Sequence, residues 1–195
     1  MEPLPASGLK GSVLYKEWYR KQKACHRPAA AWTRTVLFAL LAGPLAVASA
    51  FLIEHPGSGI LMLVVAGPLI EELGKVLLPL MTVEKNPARF TRKSQLLLCA
   101  VAGGLVFSII ENLIYLHVYL PDPGPGLIWW RWTVCVALHV GCSFLAGWGV
   151  AKCWQEADER EEPARLETAA PLLLVAVGIH GVYNLMATFL DPLFQ

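Results

Sequence analysis

The chain has 195 residues, of which 55% are hydrophobic and 16% charged, and its formal net charge is +1. A soluble domain of this length carries about a quarter charged residues, so the composition indicates a membrane protein with room for one compact domain. The net charge says nothing about nucleic acid, but no basic stripe interleaved with aromatics suggests it, so nucleic acid is not expected as a partner. The five cysteines form no C-x-x-C pair. We therefore expect them to be packing residues, without a disulfide scaffold or a structural zinc site.

Five apolar segments are long enough to cross a bilayer as helices. Each has close to or more than the roughly 20 residues that cover ~30 Å of hydrocarbon. The alternating ten-residue segments of a membrane barrel are missing, and an open sheet edge cannot be satisfied in lipid. The sequence therefore predicts an all-α, multipass transmembrane helical bundle of about five spans, at approximately residues 35–53, 59–81, 95–120, 132–151 and 168–190.

The lysines and arginines that flank these spans are distributed unevenly. Fourteen lie in the N-terminal segment and in the loops after spans two and four, whereas the opposite side has only Arg131. The positive-inside rule then predicts a cytoplasmic N-terminus and an outer C-terminus. We expect a cytoplasmic basic segment at 1–33, a five-span membrane domain at 34–190 and an outer tail at 191–195. This integral protein is expected in the cell (plasma) membrane, surrounded by the lipid bilayer.

Two polar segments on the predicted cytoplasmic side have simpler interpretations. The basic segment either forms a helix on an anionic leaflet or remains a disordered, positively charged tail, and the sequence leaves both open. The acidic run from Glu156 to Glu162 is expected to be a solvated loop.

Ionisable side chains interrupt four of the five predicted spans. The second contains Glu71 and Glu72, the third Glu111, the fourth His139 and the fifth His180. Such residues are rare at membrane depth because a charge there costs a few kcal/mol or more, and they mark a functional site by default. With a rise of 1.5 Å per residue, all of them lie about 12–20 Å from the outer ends of their spans. The sequence therefore predicts one buried polar centre in a single layer.

Each of these residues has a neighbour that can support it from the same helix. Lys75 lies within reach of both glutamates, at spacings of four and three residues. We expect it to pair with Glu71, which would leave Glu72 to activate water. The other supporting residues are Phe107 and Asn112 beside Glu111, Ser143 four residues after His139, and Asn184 four residues after His180.

The residue types at this centre limit the chemistry. No aspartate lies within a span, and no H-E-x-x-H helix, G-x-S-x-G elbow or phosphate-binding glycine loop occurs. Glutamate and histidine without a nucleophile suit hydrolysis by an activated water, with Glu as general base and hydrogen-bond donors at the oxyanion. Alternatively, His139, His180 and one Glu among Glu71, Glu72 and Glu111 can hold zinc with an open position for water. The glutamate-only mechanism is favoured, so no cofactor is expected, and zinc stays open.

The motifs together resemble the PrsW-type intramembrane proteases and, more distantly, the CAAX prenyl-protease-like (Abi) superfamily. The resemblance covers residues 66–186 and rests on four motifs that occur in the family's order. These are E-E-x-x-K (Glu71, Glu72, Lys75), F-x-x-x-E-N (Phe107, Glu111, Asn112), His139 with Ser143, and His180 with Asn184. Many members have an acidic residue and a glycine where this chain has Gln95 and Leu96, a difference that we expect to affect substrate gating more than catalysis.

The resemblance implies an intramembrane endopeptidase that cleaves a membrane-anchored protein, such as an anti-sigma-factor-like regulator, near the outer face. It implies that Glu71 or Glu72 activates water, that Glu111 and His139 complete the site, and that His180 with Asn184 polarises the scissile carbonyl. The family has been described both as metalloprotease and as glutamic protease, so it leaves the metal open.

Two alternatives remain besides a protease. One is a catalytically silent relative that binds or scaffolds membrane partners. The other is a proton-coupled transporter, which is disfavoured because the inner halves of the spans are almost purely apolar and no internal repeat is evident. The oligomeric state is left open by the sequence.

Overall fold

The structure is a computed structural model that describes residues 13–25, 27–53, 59–120 and 122–190. Within these ranges the chain forms α-helices and short helical turns, with no strand. The helices are α1 Val13–Ala24, α2 Pro28–Ile53, α3 Gly67–Lys85, α4 Lys93–Ile114, α5 Pro125–Trp130, α6 Val136–Arg160 and α7 Ala170–Leu190. The predicted outer tail at 191–195 and the first twelve residues of the basic segment lie outside the described residues.

Four helices of the described part are long and apolar enough to cross a membrane. They are Pro28–Leu52, Lys93–Tyr119, Pro125–Arg160 and Ala170–Phe189. The predicted second span is also helical, but Glu71, Glu72 and Lys75 place three charges in it. Its helix α3 contacts α2, α4, α6 and α7. This central position keeps the three charged side chains away from lipid and confirms the all-α multipass bundle.

Small residues let the helices around α3 approach closely. A Cβ at Gly103 would lie 2.8 Å from the Cβ of Ala42, so α4 passes α2 at backbone distance. A Cβ at Gly104 would overlap Ser143, which brings α4 equally close to α6. Packing through small residues is a common way for membrane helices to associate. The close approach of the helix backbones brings polar side chains of neighbouring helices within contact distance of one another.

Three single turns of π-helix interrupt the long helices at one end of the bundle. They are Met62–Ala66 before α3, Tyr115–Tyr119 after α4, and Arg131–Cys135 between α5 and α6. A π turn rotates the following side chains relative to the α-helical pattern, and such turns are frequent at functional sites. Gly181 on α7 passes so close to the carbonyl oxygen of Val64 that any side chain there would overlap it. The first π turn is therefore held directly against α7.

Helix α1 lies on the opposite end of the bundle and packs through its aromatic face. Tyr15, Trp18 and Tyr19 are buried and form a cluster with Ala88 in the turn after α3. Burial raises the pKa of Tyr15 from 10.0 to about 12 and raises that of Tyr19 as well. The Tyr19 hydroxyl donates a hydrogen bond of 2.5 Å to Asp158 Oδ1. The described part of the basic segment is thus helical, with its aromatic face on the protein rather than on lipid.

Charged contacts join α1 to the acidic end of α6. Lys23 Nζ lies 2.7 Å from an oxygen of Asp158, and the guanidinium of Arg20 pairs with both carboxylate oxygens of Glu161. The Arg20 contact lowers the pKa of Glu161. The acidic run is therefore not simply a solvated loop: α6 continues to Arg160 and presents these carboxylates to α1.

Gln95 has a structural role at the start of α4. Its side-chain oxygen accepts hydrogen bonds from the backbone N–H groups of Thr91 and Arg92 and from the Thr91 hydroxyl. Gln95 thus caps the first turn of α4 with its own side chain, which binds the backbone N–H of the residue that precedes the helix. The residue that departs from the pattern of the related proteins caps a helix end far from the polar centre.

Candidate functional site

Four acidic and basic side chains from three helices meet in the centre of the bundle. Glu71 and Glu72 come from α3, His139 from α6 and His180 from α7, and one potential ligand atom of each lies within 4.8 Å of the others. All four are buried, with exposed fractions of 7%, 0%, 2% and 2%. The sequence predicted that these residues share one layer, and the fold brings them into one cluster.

Lys75 lies inside this cluster and contacts two of its members. Its Nζ atom is 2.8 Å from Glu72 Oε1 and 3.0 Å from His139 Nδ1, whereas Glu71 Oε2 is 3.7 Å away. We expected Lys75 to pair with Glu71 and leave Glu72 free, and this is wrong. The residue three positions before Lys75 lies closer to its Nζ atom than the residue four positions before it. Glu71 is the carboxylate with access to open space, as described below for the cavities.

The aromatic ring of Phe107 covers Lys75 from the side of α4. The Nζ atom lies 4.0 Å from the ring centroid, and the same ring is 5.0 Å from the ring of His139. A cation over an aromatic face is attracted by the ring quadrupole, most strongly where water is excluded. Phe107 thus stabilises the Lys75 ammonium while closing that side of the cluster to lipid.

The hydrogen bonds of His139 define its tautomer. A lysine ammonium can only donate, so Nδ1 of His139 accepts from Lys75 and the ring proton resides on Nε2. Nε2 then donates to Glu111 Oε2 at 3.0 Å. His180 is held differently, because its Nδ1 lies 2.8 Å from Glu72 Oε1 and its Nε2 lies 3.8 Å from Glu71 Oε2. Each histidine therefore has one nitrogen fixed by a carboxylate.

Arg131 is a residue of this site that sequence analysis missed. It belongs to the π turn before α6, and its Nη2 lies 3.1 Å from the same Glu111 oxygen that binds His139. Its Nε donates to the side chain of Asn112, whose amide donates back to the Arg131 carbonyl. The guanidinium also stacks 3.8 Å above the Tyr115 ring. Sequence analysis used Arg131 only as a loop cation for orientation, since no local spacing links it to Glu111.

Two predicted supporting residues do not contact the histidines beside them. The Ser143 hydroxyl is packed against Gly104 and has no hydrogen-bond partner among the described residues. Asn184 donates to the carbonyl oxygen of Leu63 in the first π turn, at 3.1 Å. The orientation of the histidines comes instead from carboxylates and Lys75 on neighbouring helices.

Two cavities reach the cluster from the end of the bundle that carries the π turns. The larger, which we call the polar cavity, has a volume of about 360 Å³, and the smaller, the apolar cavity, about 150 Å³. Glu71, Glu111 and Tyr115 line both. The polar cavity is also lined by His139, Arg131, Tyr183 and Asn184, and the apolar cavity by Val47, Ala50, Phe51 and Phe107. Glu71 therefore faces room for both water and a substrate, whereas Glu72 lines neither cavity.

The donor set of the cluster fits a divalent metal ion. Two imidazoles and carboxylates are the ligands that zinc takes in catalytic sites, and Glu111 behind His139 matches the carboxylate that commonly supports a metal-bound histidine. Glu72 Oε2 is buried without a hydrogen-bond partner among the described residues, so it retains an acceptor for a cation. The Lys75 ammonium now contacts both Glu72 and His139. A metal ion bound by Glu72 and His139 together would have to displace Lys75 from these two contacts.

The bundle buries glutamates and histidines beside two cavities within its apolar helices, an arrangement that suits hydrolysis inside a membrane. The chain belongs to the PrsW family: the family model described as PrsW family intramembrane metalloprotease matches residues 28–195. No match was found among curated proteins or among solved structures. The resemblance inferred from the four motifs is thereby confirmed, and the protein is an intramembrane protease. Helix α1 lies before the matched region.

Proposed function

We propose that the protein hydrolyses a peptide bond of a membrane-anchored protein with a water molecule activated at the Glu/His cluster. The observation that carries this proposal is the position of Glu71, which is buried in the cluster and lines both cavities. A general base must lie within hydrogen-bond reach of the water that it deprotonates. Glu71 meets this requirement better than Glu72, because Glu71 lines both cavities and Glu72 is fully buried and lines neither.

In this mechanism Glu71 takes a proton from water as the water oxygen bonds to the scissile carbonyl carbon. The carbonyl oxygen becomes an oxyanion, and Asn184 in the polar cavity has a second amide hydrogen with which to stabilise it. The tetrahedral intermediate then collapses, the C–N bond breaks, and Glu71 returns the proton to the leaving nitrogen. Lys75 and His180, whose nitrogens lie 3.7 and 3.8 Å from Glu71 Oε2, hold this carboxylate in position.

His139 and Glu111 form the opposite wall of the reaction site. Glu111 fixes the tautomer of His139, and Arg131 fixes Glu111 through its guanidinium. Both Glu111 and His139 line the polar cavity. These contacts support an assignment of His139 as a substrate-facing group and of Arg131 as a positioning residue.

If the protein uses a metal, Glu72, His139 and His180 would hold it beside Glu71. A bound zinc ion supplies Lewis acidity, which polarises a carbonyl and lowers the pKa of water. Glu71 keeps its role as the proton acceptor in that case. The family description and the buried donor set favour the metal, whereas the contacts of Lys75 favour glutamate alone.

The substrate and orientation complete the proposal. Both cavities lie toward the end of the bundle where α2 and α4 end, which the basic flanks assign to the outer face with the N-terminus in the cytoplasm. The substrate is accordingly a single-span or anchored membrane protein, such as an anti-sigma-factor-like regulator, cut in the outer half of the cell membrane. The four apolar helices support a lipid-embedded site.

The direct test is cleavage of a panel of single-span membrane proteins by the purified enzyme in lipid bilayers, with and without chelator. We expect cleavage products whose ends map to the outer half of the substrate span. Loss of cleavage with chelator that zinc restores would establish the metal mechanism, and cleavage that survives chelation would establish glutamate alone. Stable binding of substrates without any product would contradict the protease proposal and favour a scaffold.

A further inference from the structure

The apolar cavity offers a site for part of the substrate that the catalytic proposal leaves unassigned. It lies between α2 and α4, against α3, and its walls include Val47, Ala50, Phe107 and Ile114. Glu71 and Glu111 line it as well, so it opens directly onto the proposed reaction site. A group that enters this cavity is therefore next to the scissile bond.

The size of the cavity sets the size of its occupant. Its volume is about 150 Å³. An engineered protein cavity of roughly this volume, lined by aliphatic and aromatic residues, binds benzene. One leucine or phenylalanine side chain thus fits, whereas a whole helix or a polypeptide backbone does not.

The packing of α2 against α4 explains why the cavity opens at one end. A Cβ at Gly43 would lie 2.7 Å from the backbone nitrogen of Phe107, so the two helices touch there. The cavity begins one turn beyond, at Val47 and Ala50. Its rim includes Phe51 and Tyr119, which are more than half exposed on the surface of the bundle. A substrate segment approaching through lipid can therefore insert a side chain between α2 and α4.

The two cavities suit parts of the substrate that differ in polarity. They share Glu71, Glu111 and Tyr115, so one extended residue can reach both. The polar cavity has room for the peptide group and water. The remaining walls of the apolar cavity are hydrocarbon and suit an apolar side chain. Away from the two glutamates, a polar side chain there would lose its hydration against Val47 and Ala50 without regaining hydrogen bonds.

We propose that the apolar cavity between α2 and α4 is the specificity subsite that takes one leucine- or phenylalanine-sized apolar side chain of the substrate residue adjoining the scissile bond. This inference rests on the proposed function. Ala50 controls the depth of the subsite, because it is nearly buried and is the smallest residue of its wall. Val47, one turn closer to the contact of Gly43, controls its floor.

The test compares Ala50→Phe with Ala48→Phe, which adds the same ring to the same helix on an exposed face. Substrates of one sequence carry Gly, Ala, Leu or Phe at each residue flanking the cut. We expect the wild type to cleave the Leu or Phe substrate at one flanking position about tenfold or more faster than the Gly substrate. Ala50→Phe should abolish this preference and keep the Gly and Ala substrates, while Ala48→Phe should leave it unchanged.

A uniform loss of activity on every substrate in Ala50→Phe would overturn the subsite, as would an unchanged preference. Uniform loss together with a dependence on lipid acyl length would mean that a lipid chain fills the cavity. Val47→Ala provides the reciprocal test, since it enlarges the subsite and should raise cleavage of a Trp substrate relative to Leu.

A binding measurement separates failure of the subsite from failure of the protease proposal. A substrate peptide with photo-leucine at the flanking position should cross-link to α2 or α4 in the wild type and in Glu71→Gln, and less in Ala50→Phe. Cross-linking without cleavage would keep the subsite and overturn the proposed reaction. Cleavage with cross-links only outside α2 and α4 would overturn the subsite alone.

Discussion

The guanidinium of Arg131 lies 3.1 Å from Glu111 Oε2, the oxygen that also accepts the hydrogen bond of His139. A cation of the π turn before α6 thereby fixes a partly buried carboxylate, and the carboxylate fixes an imidazole that lines the polar cavity. The side chain of Arg131 is only 11% exposed, so water competes little for this contact. We therefore expect Arg131 to position the proposed catalytic centre although it does not belong to the cluster itself.

Replacing Arg131 by glutamine should lower kcat about 10- to 100-fold with a smaller change in KM. A hydrogen bond to a charged group contributes about 1.5–3 kcal/mol, which corresponds to that range of rates. The measurement is steady-state cleavage of one substrate by the variant and by the wild type. Arg165→Gln is the control, since Arg165 is exposed and its guanidinium lies 3.7 Å from Glu162 on the same surface loop. A KM effect without a kcat effect would contradict the positioning role.

Lys75 should contribute strongly to stability because it neutralises a buried carboxylate. Lys75→Met leaves Glu72 without its 2.8 Å partner, and breaking a buried pair costs about 3–5 kcal/mol. The free energy of unfolding in detergent should fall by that order. The double variant Lys75→Met with Glu72→Gln should recover part of the loss, because the unpaired charge is gone. Equal losses in the single and double variants would show that the pair is not the cause.

Helix α1 should be protected by its docking on the cytoplasmic end of the predicted topology. Lys16, Arg20, Lys21 and Lys23 are trypsin sites within a helix whose aromatic face is buried. Trp18→Ala should undock the helix, let its backbone unfold into the protease, and raise the rate of cutting about tenfold or more, because truncating a buried aromatic costs about 3–5 kcal/mol. Leu14→Ala, on the exposed face of the same helix, should leave the rate near that of the wild type. Equal rates in all three proteins would mean that α1 is not docked in solution.

Ionisation of Tyr15 should make the stability of the docked helix fall at alkaline pH. Burial raises its pKa from 10.0 to about 12, so the folded state keeps the phenol protonated where the unfolded state ionises it. Its contribution is fully present below pH 10 and is lost as the pH rises from 10 to about 12. The difference in tyrosinate absorbance between the wild type and Tyr15→Phe should therefore titrate near pH 12. A difference that titrates near pH 10 would place Tyr15 in water.

Much of this arrangement was predictable because hydropathy and helical rise are local properties. Span positions and the common depth of Glu71, Glu111, His139 and His180 follow from counting residues along each helix. The rotation of one helix relative to another cannot be obtained by counting residues, because it depends on the packing of glycines such as Gly104. For the same reason sequence spacing offered Lys75 two equal partners, and only the fold distinguishes Glu72 from Glu71.

The missed features depend on contacts between distant segments. Arg131 and Glu111 are separated by a loop and a π turn, and neither changes the apolar pattern that locates the spans. The sequence left α1 open between a helix on an anionic leaflet and a disordered tail, and its docking on the protein was not predicted. Its complement, Asp158 at the end of α6, lies 139 residues away from Tyr19. The family could be inferred from the motifs alone, because their residue types and spacings are local properties of the sequence.

The most direct measurement is substrate cleavage by Glu71→Gln beside Glu84→Gln, with the wild type and Glu72→Gln assayed in parallel. Glu84 is an exposed carboxylate on the same helix, so its substitution controls for the loss of a charge. The proposed mechanism predicts that Glu71→Gln abolishes cleavage, with folding intact by thermal unfolding, and that Glu84→Gln retains wild-type rates. Undiminished cleavage by a folded Glu71→Gln protein would contradict the assignment of Glu71 as the base.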